Sequence, residues 1–333
     1  MEIVIGVDLG GTHVSVACMD ARSDLTQPEY RKVSRPLVDE DKTFERVLEI
    51  VAAAMKEVVS GLEPGTVVRG IGFALPGNAD PTNGVSRYLP NFPAWGLNLP
   101  LVSALRQAIQ VVGISTIDSV KVPVHIRNDG RCAAIAEARL GVGKGVTVMA
   151  LLTLGTGIGG ALITNGLLFN GASFDAGDFG HHSIYTMNPF ICNCGKTACF
   201  EFQASALGLV RHYQSERARV GASACATANA LQVVTEYRKG DNIAAKAFDN
   251  YLDDLSSGLA NLVTFYNPNV IVLGGGLANI REFYEPSPTA PSRNLLEALV
   301  DGKTLVMTRG VVSIRQASLG DDAGVIGACL LAI

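Results

Sequence analysis

The sequence predicts an α/β fold that is built twice over. Two units of strand, glycine turn and strand lie near residues 8 and 155, which indicates an internal duplication. Alternating helical and strand patterns follow each unit, as is typical of α/β layers. The chain has 333 residues, enough for about two domains with sizeable cores.

The first repeat starts with an apolar, β-branched run over 2–9, a Gly10-Gly11 turn and a returning strand over 12–19. Apolar residues at helical spacing predict a helix over 43–62. The other elements predicted before residue 145 are strands over 33–37, 67–75 and 122–126, a long loop over 78–100, and helices over 101–112 and 131–140.

The second repeat has a strand over 146–154, a glycine-rich turn over 155–160 and a returning strand over 161–164. The uncharged segment 146–174 is long enough for a membrane span, but six glycines and several Thr and Asn residues argue against one. The remaining predicted elements are helices over 204–217, 227–238, 243–251, 255–265, 293–300 and 324–331, and strands over 269–273 and 311–316.

Composition excludes several classes of protein. Hydrophobic residues make up 48% and charged residues 17%, as in a globular enzyme. The net charge of −4 gives no basic excess for nucleic acid or an anionic membrane. Four of the seven cysteines stand singly in apolar surroundings, and the start lacks a basic leader. We therefore expect a cytoplasmic protein that binds neither nucleic acid nor membrane.

One stretch concentrates metal-ligating side chains. Its candidate ligands are His181, His182, Cys192, Cys194 and Cys199. Thiolates and imidazole form closed tetrahedral sites for structural zinc, and Gly195 relieves the backbone between the sulfurs. The alternative is buried free thiols beside a surface histidine. Carboxylates flank the stretch at Asp178 and Glu201, where a metal would hold them rigidly towards a polyol.

Three glycine-rich turns indicate phosphate binding. Asp8-Leu9-Gly10-Gly11-Thr12 and the turn over 155–160 let backbone N–H groups approach an anion, and Gly274-Gly275-Gly276 follows a late strand. Asp8, at a strand end, suits a hydrated Mg²⁺. Alone, the first turn would be interpreted as a simple hairpin, but it does not occur alone. The sequence has no Walker A motif in the right setting.

Asn128-Asp129 follows the strand predicted over 122–126. A carboxylate there can take the proton of a hydroxyl whose oxygen attacks phosphorus. The alternative is a helix N-cap, a position where Asp is also favoured.

Together these motifs resemble the ROK family of sugar kinases, whose pattern is Glu-x-Gly-His followed by Cys-x-Cys-Gly-x-x-Gly-Cys-x-Glu. The resemblance covers nearly the whole chain and implies a two-domain actin/hexokinase-like (ribonuclease H-like) duplicated fold with an interdomain cleft. We place the domains at 1–120 and 121–317, the second with the zinc motif. The last helix, over 318–333, is expected to pack back on the first domain.

The resemblance also implies roles for individual residues. Asp129 is the general base. The sugar-binding residues are Gly77, Asn91, Asn128, Asp129, Asp178, His181 and Glu201. The ATP- and phosphate-binding residues are Asp8, Gly10, Gly11, Thr12, Gly155, Thr156, Gly157, Gly274, Gly275 and Gly276. The zinc ligands are His181, Cys192, Cys194 and Cys199. Trp95 is expected to pack within its loop, and Glu137 to support structure or a phosphate loop.

The match departs from the family pattern in three places. Asp178 stands where the family usually has Glu, and Ala198 replaces a Gly. His181 fits the Gly-His motif, whereas His182 gives the usual spacing to Cys192. We favour His181, with the extra residue taken up in the loop over 185–191, and His182 stays open.

The function implied is ATP-dependent phosphorylation of a hexose at its 6-hydroxyl, with Mg²⁺ and structural Zn²⁺, by a homodimer. Glucose is the default substrate, and allose, fructose, N-acetylglucosamine and N-acetylmannosamine are alternatives. Polyphosphate is an alternative donor. A sugar-responsive repressor of the same family is disfavoured because only seven residues precede Asp8. A non-enzymatic sugar sensor is disfavoured because Asp129 and both turns are intact.

Overall fold

The computed structural model describes residues 1–22, 29–114, 117–118, 120–184, 191–192, 194–225 and 228–333. The chain divides into two compact units. The first comprises 1–144, 170–176 and 319–333, and the second comprises 145–169 and 177–318. The first unit therefore runs beyond the boundary expected near residue 120, because the strand after that point joins its sheet. The last helix belongs to the first unit as well.

The first unit is built on a five-stranded mixed sheet. Its elements are β1 (Glu2–Leu9), β2 (His13–Asp20), β3 (Tyr30–Pro36), α1 (Phe44–Val59), β4 (Val67–Leu75), β5 (Asn78–Asp80), β6 (Val85–Tyr88), α2 (Leu101–Val112), β7 (Val124–Asn128), α3 (Asp129–Arg139) and, last in the chain, α9 (Ala323–Leu331). The strand order is β3-β2-β1-β4-β7. β1 pairs antiparallel with β2 and parallel with β4, and β4 pairs parallel with β7.

Helix α1 covers one face of this sheet. Thr43 caps its N-terminus, where the side-chain Oγ1 accepts from the Arg46 N–H at 3.3 Å. Val47, Val51 and Met55 recur at helical spacing and are completely buried, with residues of β1, β2 and β4 in the same core. Each such side chain contributes about 1.5–3 kcal/mol of hydrophobic stabilisation.

Helix α9 lies unusually close to the strands and to α3. A Cβ built at Gly72 of β4 would be 1.8 Å from the Ala328 carbonyl oxygen, and one at Gly6 of β1 would be 2.5 Å from the Val325 oxygen. A Cβ at Gly327 would be 1.8 Å from the Cys132 oxygen of α3. Glycine at these positions lets backbone meet backbone, so α9 packs as an integral layer of the unit.

The second unit repeats this topology. Its elements are β8 (Val148–Leu154), β9 (Ile158–Thr164), β10 (Leu167–Leu168), α4 (Phe200–Ala204), α5 (Ala206–Arg219), α6 (Ala230–Arg238), α7 (Asn242–Tyr266), β11 (Val270–Gly274), β12 (Pro286–Ser287), β13 (Ala290–Asn294), α8 (Leu295–Lys303) and β14 (Ser313–Gln316). The strand order β10-β9-β8-β11-β14 and the strand directions match those of the first sheet. The predicted duplication is confirmed.

Three local predictions differ from the structure. The stretch 78–100 is not all loop, because it contains the hairpin of β5 and β6. The predicted helix over 204–217 is split at Ser205, whose side chain caps α5 by accepting from the Gly208 N–H. The predicted helices over 243–251 and 255–265 are one helix, α7, in which Asp253 faces outward and does not break the buried apolar stripe.

Helix α6 starts at Ala230, after residues 226–227, so the first residue of the helix predicted over 227–238 lies outside the described part of the chain. No helix within the described ranges combines the length and apolarity that crossing a bilayer requires.

Candidate active site

Asn128 and Asp129 lie at the junction of β7 and α3. The Asn128 side chain caps α3, since its Oδ1 accepts from the Arg131 N–H at 3.2 Å. Its Nδ2 donates to the Gly77 carbonyl oxygen at 3.3 Å. The N-cap role considered for Asp129 therefore belongs to Asn128, and Asp129 is the first residue of the helix. The structure thus brings together Gly77, Asn128 and Asp129.

Burial shapes the acidity of Asp129 and of its neighbour Asp8. Burial raises the pKa of Asp129 above its usual range, although the Gly130 N–H donates to its Oδ1 at 2.8 Å and lowers it in part. Burial, with the charge of Asp129 second, raises the pKa of Asp8 to about 7. A carboxyl group with a pKa nearer neutrality is a stronger base once it is ionised.

The first glycine turn connects β1 to β2. The Gly10 N–H donates to the His13 carbonyl at 2.8 Å and closes the turn. A Cβ at Gly11 would be 3.1 Å from Nδ2 of Asn91, so the Asn91 side chain lies directly against the turn. Gly77 has to be glycine for a separate reason, because a Cβ there would be 2.1 Å from the Tyr88 carbonyl oxygen.

Two arginines flank Asn128-Asp129, and sequence reasoning missed them. Arg131 is buried and donates to the Ala176 carbonyl at 3.3 Å, and its positive charge lowers the pKa of Asp129, against the larger effect of burial. Arg127 lies over the Phe174 ring, 5.8 Å from its centroid. The available signal was the charge pattern Arg-Asn-Asp-Gly-Arg over 127–131.

The second glycine turn, between β8 and β9, has several of its N–H groups already bonded. Gly155 N–H donates to the Gly157 carbonyl at 2.9 Å, and Ile158 N–H donates to Oε2 of Glu201 at 2.9 Å. Gly159 N–H donates to Oγ1 of Thr153 at 3.2 Å. Within the described residues, the N–H groups of Thr156 and Gly157 make no hydrogen bond, so these two donors are available to an anion.

An apolar cavity of about 530 Å³ adjoins this turn within the second unit. Its lining residues are Gly155, Thr156, Ala206, Ala230, Leu231, Val234, Arg238, Gly276, Leu277, Asn279 and Ile280. Gly276 lines the cavity as expected, whereas Gly274 and Gly275 are not among these residues. Gly275 has φ +81° and shapes the turn after β11, where a Cβ would be 2.6 Å from the Leu154 oxygen.

Sequence reasoning missed the helical part of this lining. The available signal in the sequence was a largely apolar run over 230–234, which is wider than the buried pair Val233 and Val234 needs. In the structure Leu231 is 73% exposed. A large exposed leucine beside glycine turns is typical of a ligand surface.

His181, Cys192, Cys194 and Cys199 form a cluster whose ligand atoms all lie within 4.8 Å of one another. Nδ1 of His181 is 3.9 Å from Sγ of Cys192, and Sγ of Cys194 is 3.5 Å from Sγ of Cys199. These separations bring three sulfurs and one ring nitrogen within reach of a single ion, and the donor set is that of a closed zinc site. We refer to these four residues as the Cys3His cluster.

The structure separates the two candidate histidines. His182 contacts the Phe179 carbonyl through Nδ1 at 2.5 Å and packs its ring on Phe200, with centroids 5.1 Å apart. His181 is the one that meets the cysteines. Of the loop expected to take up the extra residue, positions 185–190 lie outside the described residues.

The thiols of the Cys3His cluster differ in acidity. The Lys196 backbone N–H lowers the pKa of the Cys194 thiol, which favours the thiolate that binds metal. Burial, and next the neighbouring sulfurs, raise the pKa of Cys199 to about 12, so a thiolate there needs a cation beside it. Gly195 and Ala198 shape the intervening turn with φ of +85° and +58°.

Asp178 and Glu201 lie on either side of the Cys3His cluster. Asp178 precedes a short 3-10 turn over Phe179–His181, and its carbonyl accepts from the His181 N–H at 3.2 Å. Glu201 lies on α4, with Oε1 4.0 Å from Sγ of Cys192. The expected sugar-contact residues are thus divided between the units, with Gly77, Asn91, Asn128 and Asp129 in the first and Asp178, His181 and Glu201 in the second.

Two further residues have the structural roles suggested for them. Glu137 is completely buried and accepts from the Val142 and Leu319 N–H groups at 3.1 and 2.8 Å, which ties α3 to the segment before α9. Trp95 is buried between Phe44 and Phe92, and its Nε1 donates to the Lys42 carbonyl.

Comparison with known proteins shows that the chain is similar to sugar kinases. The model of the ROK family matches residues 4–333. The chain is 31% identical to the glucokinase of Thermotoga maritima, covering 98% of this chain and 95% of the relative. It is 34% identical to an N-acetylgalactosamine kinase of Shewanella sp., with the same coverage of both. A ROK family glucokinase from Streptomyces griseus, solved with glucose and AMPPNP, aligns with a TM-score of 0.69 at 25% identity over 99% of this chain and 98% of that one.

Proposed function

The chain belongs to the ROK family, and on that basis we propose that it transfers the γ-phosphoryl group of ATP to the 6-hydroxyl of a hexose. It has the actin/hexokinase-like fold expected from its sequence. The observation that carries the proposal is Asp129, a partly buried carboxyl group at the end of β7, beside Asn128, with a raised pKa that suits a general base. A sensor that only bound sugar would not need such a group.

In the proposed reaction the sugar hydroxyl oxygen forms a bond to the γ-phosphorus as the bond to the bridging oxygen of ADP breaks. Asp129 accepts the hydroxyl proton. Little covalent chemistry is left to the protein, so positioning and charge provide most of the rate. Asn128 is held by the cap of α3 and by the Gly77 carbonyl, which supports a role in orienting the substrate beside Asp129.

The cavity of the second unit supports a nucleotide as donor. Its apolar lining and its volume of about 530 Å³ suit an adenosine group, which polyphosphate lacks. The N–H groups of Thr156 and Gly157 would face the phosphates, with Gly155 and Gly276 letting the backbone come close. In the first unit, Gly10, Gly11 and Thr12 would bind the phosphates and Asp8 would hold a hydrated Mg²⁺.

Sugar contacts are assigned to Gly77, Asn91, Asn128, Asp178, His181 and Glu201. Glucose is the first candidate, and the relatives named for glucose and N-acetylgalactosamine support a hexose or N-acetylhexosamine. Asp178 is one methylene shorter than the glutamate usual in the family. We expect this to change the preference among hexose epimers.

The Cys3His cluster supports the proposal of a structural zinc ion. When bound, the ion would cross-link the segment between His181 and Cys199. His181, Cys192, Cys194 and Cys199 would hold it. Elemental analysis of protein purified without added metal should give about one zinc per chain, and Cys194→Ser should lose it. Cys225→Ser, outside the cluster, is the matched control and should keep it. Zinc well below one equivalent in a fully active wild type would contradict the assignment.

A panel of sugars tests the function. Glucose, allose, fructose, N-acetylglucosamine, N-acetylmannosamine and N-acetylgalactosamine are each assayed for ADP release with ATP and Mg²⁺, and then with polyphosphate. We expect ATP to phosphorylate at least one of them, with ³¹P–¹H coupling in the product locating the phosphate on C6. A folded protein that binds a sugar yet phosphorylates none of them would instead be a sensor.

A further inference from the structure

The carboxylate of Glu201 is bonded to the second glycine turn. Oε2 accepts from the Ile158 N–H at 2.9 Å. The same oxygen lies so close to Gly157 that a Cβ there would be 2.5 Å from it. Gly157 has no positive φ, so a Cβ at this position would act by displacing the Glu201 carboxylate. A hydrogen bond to an ionised carboxylate is about twice as strong as a neutral one.

A second hydrogen bond holds the other end of the same turn. The Gly155 carbonyl accepts from the Ala206 N–H at 2.8 Å, where α4 gives way to α5. The turn is therefore fixed at Gly155 and at Ile158 to one short helical segment. Between these anchors lie Thr156 and Gly157, whose N–H groups are the available donors.

The same helical segment begins at the Cys3His cluster. Cys199 is the N-cap residue of α4, and Glu201 is the second residue of that helix. Oε1 of Glu201 is 4.0 Å from Sγ of Cys192, whereas Oε2 points to the turn. One side chain thus spans the distance between the metal ligands and the phosphate-binding turn.

We propose that Glu201 is a positioning residue for the nucleotide, through which metal binding at the Cys3His cluster sets the geometry of the phosphate-binding turn. The inference rests on the proposed function, because it takes the turn over 155–158 as the nucleotide's phosphate site. It extends the role that the family resemblance gives to Glu201, which is contact with the sugar. A residue that contacted sugar alone would leave nucleotide affinity unchanged when sugar is absent.

The test is therefore the Kd of Mg²⁺-AMPPNP measured by titration calorimetry without sugar. Glu201→Ala should raise this Kd about tenfold, since the loss of a charged hydrogen bond costs about that factor or more. Glu201→Gln should raise it only about threefold, because the amide oxygen still accepts from the Ile158 N–H. Glu49→Ala, an exposed residue of α1, is the control and should not change it.

Two further arms keep the test decisive. Glu201→Asp keeps the charge, but its side chain is too short to reach the Ile158 N–H. Its Kd should therefore also rise about tenfold, and this variant replaces Glu201→Ala in the test if the alanine variant folds poorly. Removing the metal with a zinc-selective chelator, which is dialysed away before Mg²⁺-AMPPNP is added, should raise the wild-type Kd. It should add less in Glu201→Ala, because the anchor at Ile158 is already lost there and only the Ala206 bond to Gly155 still joins the turn to this segment. Circular dichroism at the assay temperature confirms that each sample is folded.

An unchanged Kd in folded Glu201→Ala and Glu201→Asp would overturn the proposal, and so would fully additive effects of chelation and Glu201→Ala. Failure of the kinase function would be visible separately, as wild-type protein that phosphorylates no sugar in the panel.

Discussion

At the scale of single residues, two partly buried carboxyl groups of the first unit have a raised pKa. Burial raises the pKa of both Asp8 and Asp129, and the negative charge of Asp129 raises the pKa of Asp8 further. Lys32 opposes this effect on Asp8 through its positive charge. As a result, the pKa of each carboxyl group lies above that of an exposed aspartate.

Removing the base should affect turnover without affecting binding. Asp129→Asn keeps the size and most hydrogen bonds of the side chain but cannot accept the hydroxyl proton. We expect kcat to fall by about 10²–10⁴-fold, the usual loss for a general base. Titration with the preferred sugar should give a near wild-type Kd. Near-normal turnover in a folded Asp129→Asn protein would refute the assignment.

Asp8 should make the free energy of unfolding depend on pH. Its folded pKa of about 7 lies above its ordinary value of 3.8, so the folded state keeps a proton that the unfolded state releases. That stabilisation is fully present below about pH 4 and is lost as pH rises through about 7.

Asp8→Asn, which stays uncharged, should therefore gain stability over wild type as pH rises from about 5 to about 8, by on the order of 2–3 kcal/mol. Urea unfolding without nucleotide or Mg²⁺ measures this difference. The control is Asp39→Asn, an exposed position where Lys42 lowers the carboxyl pKa, and its difference should be flat over that range. A flat profile for Asp8→Asn would rule out the raised pKa.

Ala198 stores strain in the turn of the Cys3His cluster. Its φ of +58° is disfavoured for a residue with a Cβ. Ala198→Gly should raise the free energy of unfolding by about 1 kcal/mol, since relief of strain exceeds the entropy lost by glycine. Ala53→Gly at an exposed position of α1 is the matched control and should lower it by about 1 kcal/mol. An equal decrease in the free energy of unfolding of both variants would contradict the proposal that Ala198 is strained.

Residues of the site differ in how far the sequence could predict them. Asn128-Asp129 could be located because a polar pair directly after an apolar strand is a local signal. His181 could be favoured over His182 from the Gly-His motif but not decided, since adjacent residues offer the same donor and the packing of His182 on Phe200 is not visible in the sequence. The hydrogen bond from Ile158 to Glu201 joins residues 43 positions apart, so no local pattern in the sequence could predict it.

At the scale of elements, α9 makes the two closest backbone contacts described for the first unit, one with Gly72 of β4 and one from its own Gly327 to α3. Gly72→Ala should lower the free energy of unfolding by about 3 kcal/mol or more, because its Cβ would be 1.8 Å from the Ala328 oxygen and backbone must move. Gly302→Ala in α8 is the control, where a Cβ meets nothing within 4 Å, and stability should hold or rise by up to about 1 kcal/mol. Urea unfolding of both variants would show equal effects if the close packing were irrelevant.

Elements with a regular apolar pattern could be predicted, and those decided by one local contact could not. α1 and the strands of both sheets follow from their burial periodicity. The split between α4 and α5 depends on the Ser205 cap, and α7 continues through Asp253 because that side chain faces solvent. In the sequence, Ser205 could equally lie inside one helix, and Asp253 could equally lie between two helices.

At the scale of the whole molecule, the repeated glycine turns made the two sheets predictable, since each turn joins the first two strands of one sheet. The path of residues 170–176 was not predictable. This segment belongs to the first unit, where Asp175 accepts from Nδ2 of Asn78 at 2.9 Å. Nothing in its composition distinguishes it from the flanking residues of the second unit.

The position of α9 also has a consequence for how the chain folds during synthesis. β1 and β4 leave the ribosome early, yet the helix that covers their glycine-rich face is made more than 240 residues after β4. The second unit is complete in sequence at residue 318, before α9 begins at Ala323. The unit that starts first therefore finishes last, and until it does, the strand face around Gly6 and Gly72 stays uncovered and open to chaperones or to aggregation.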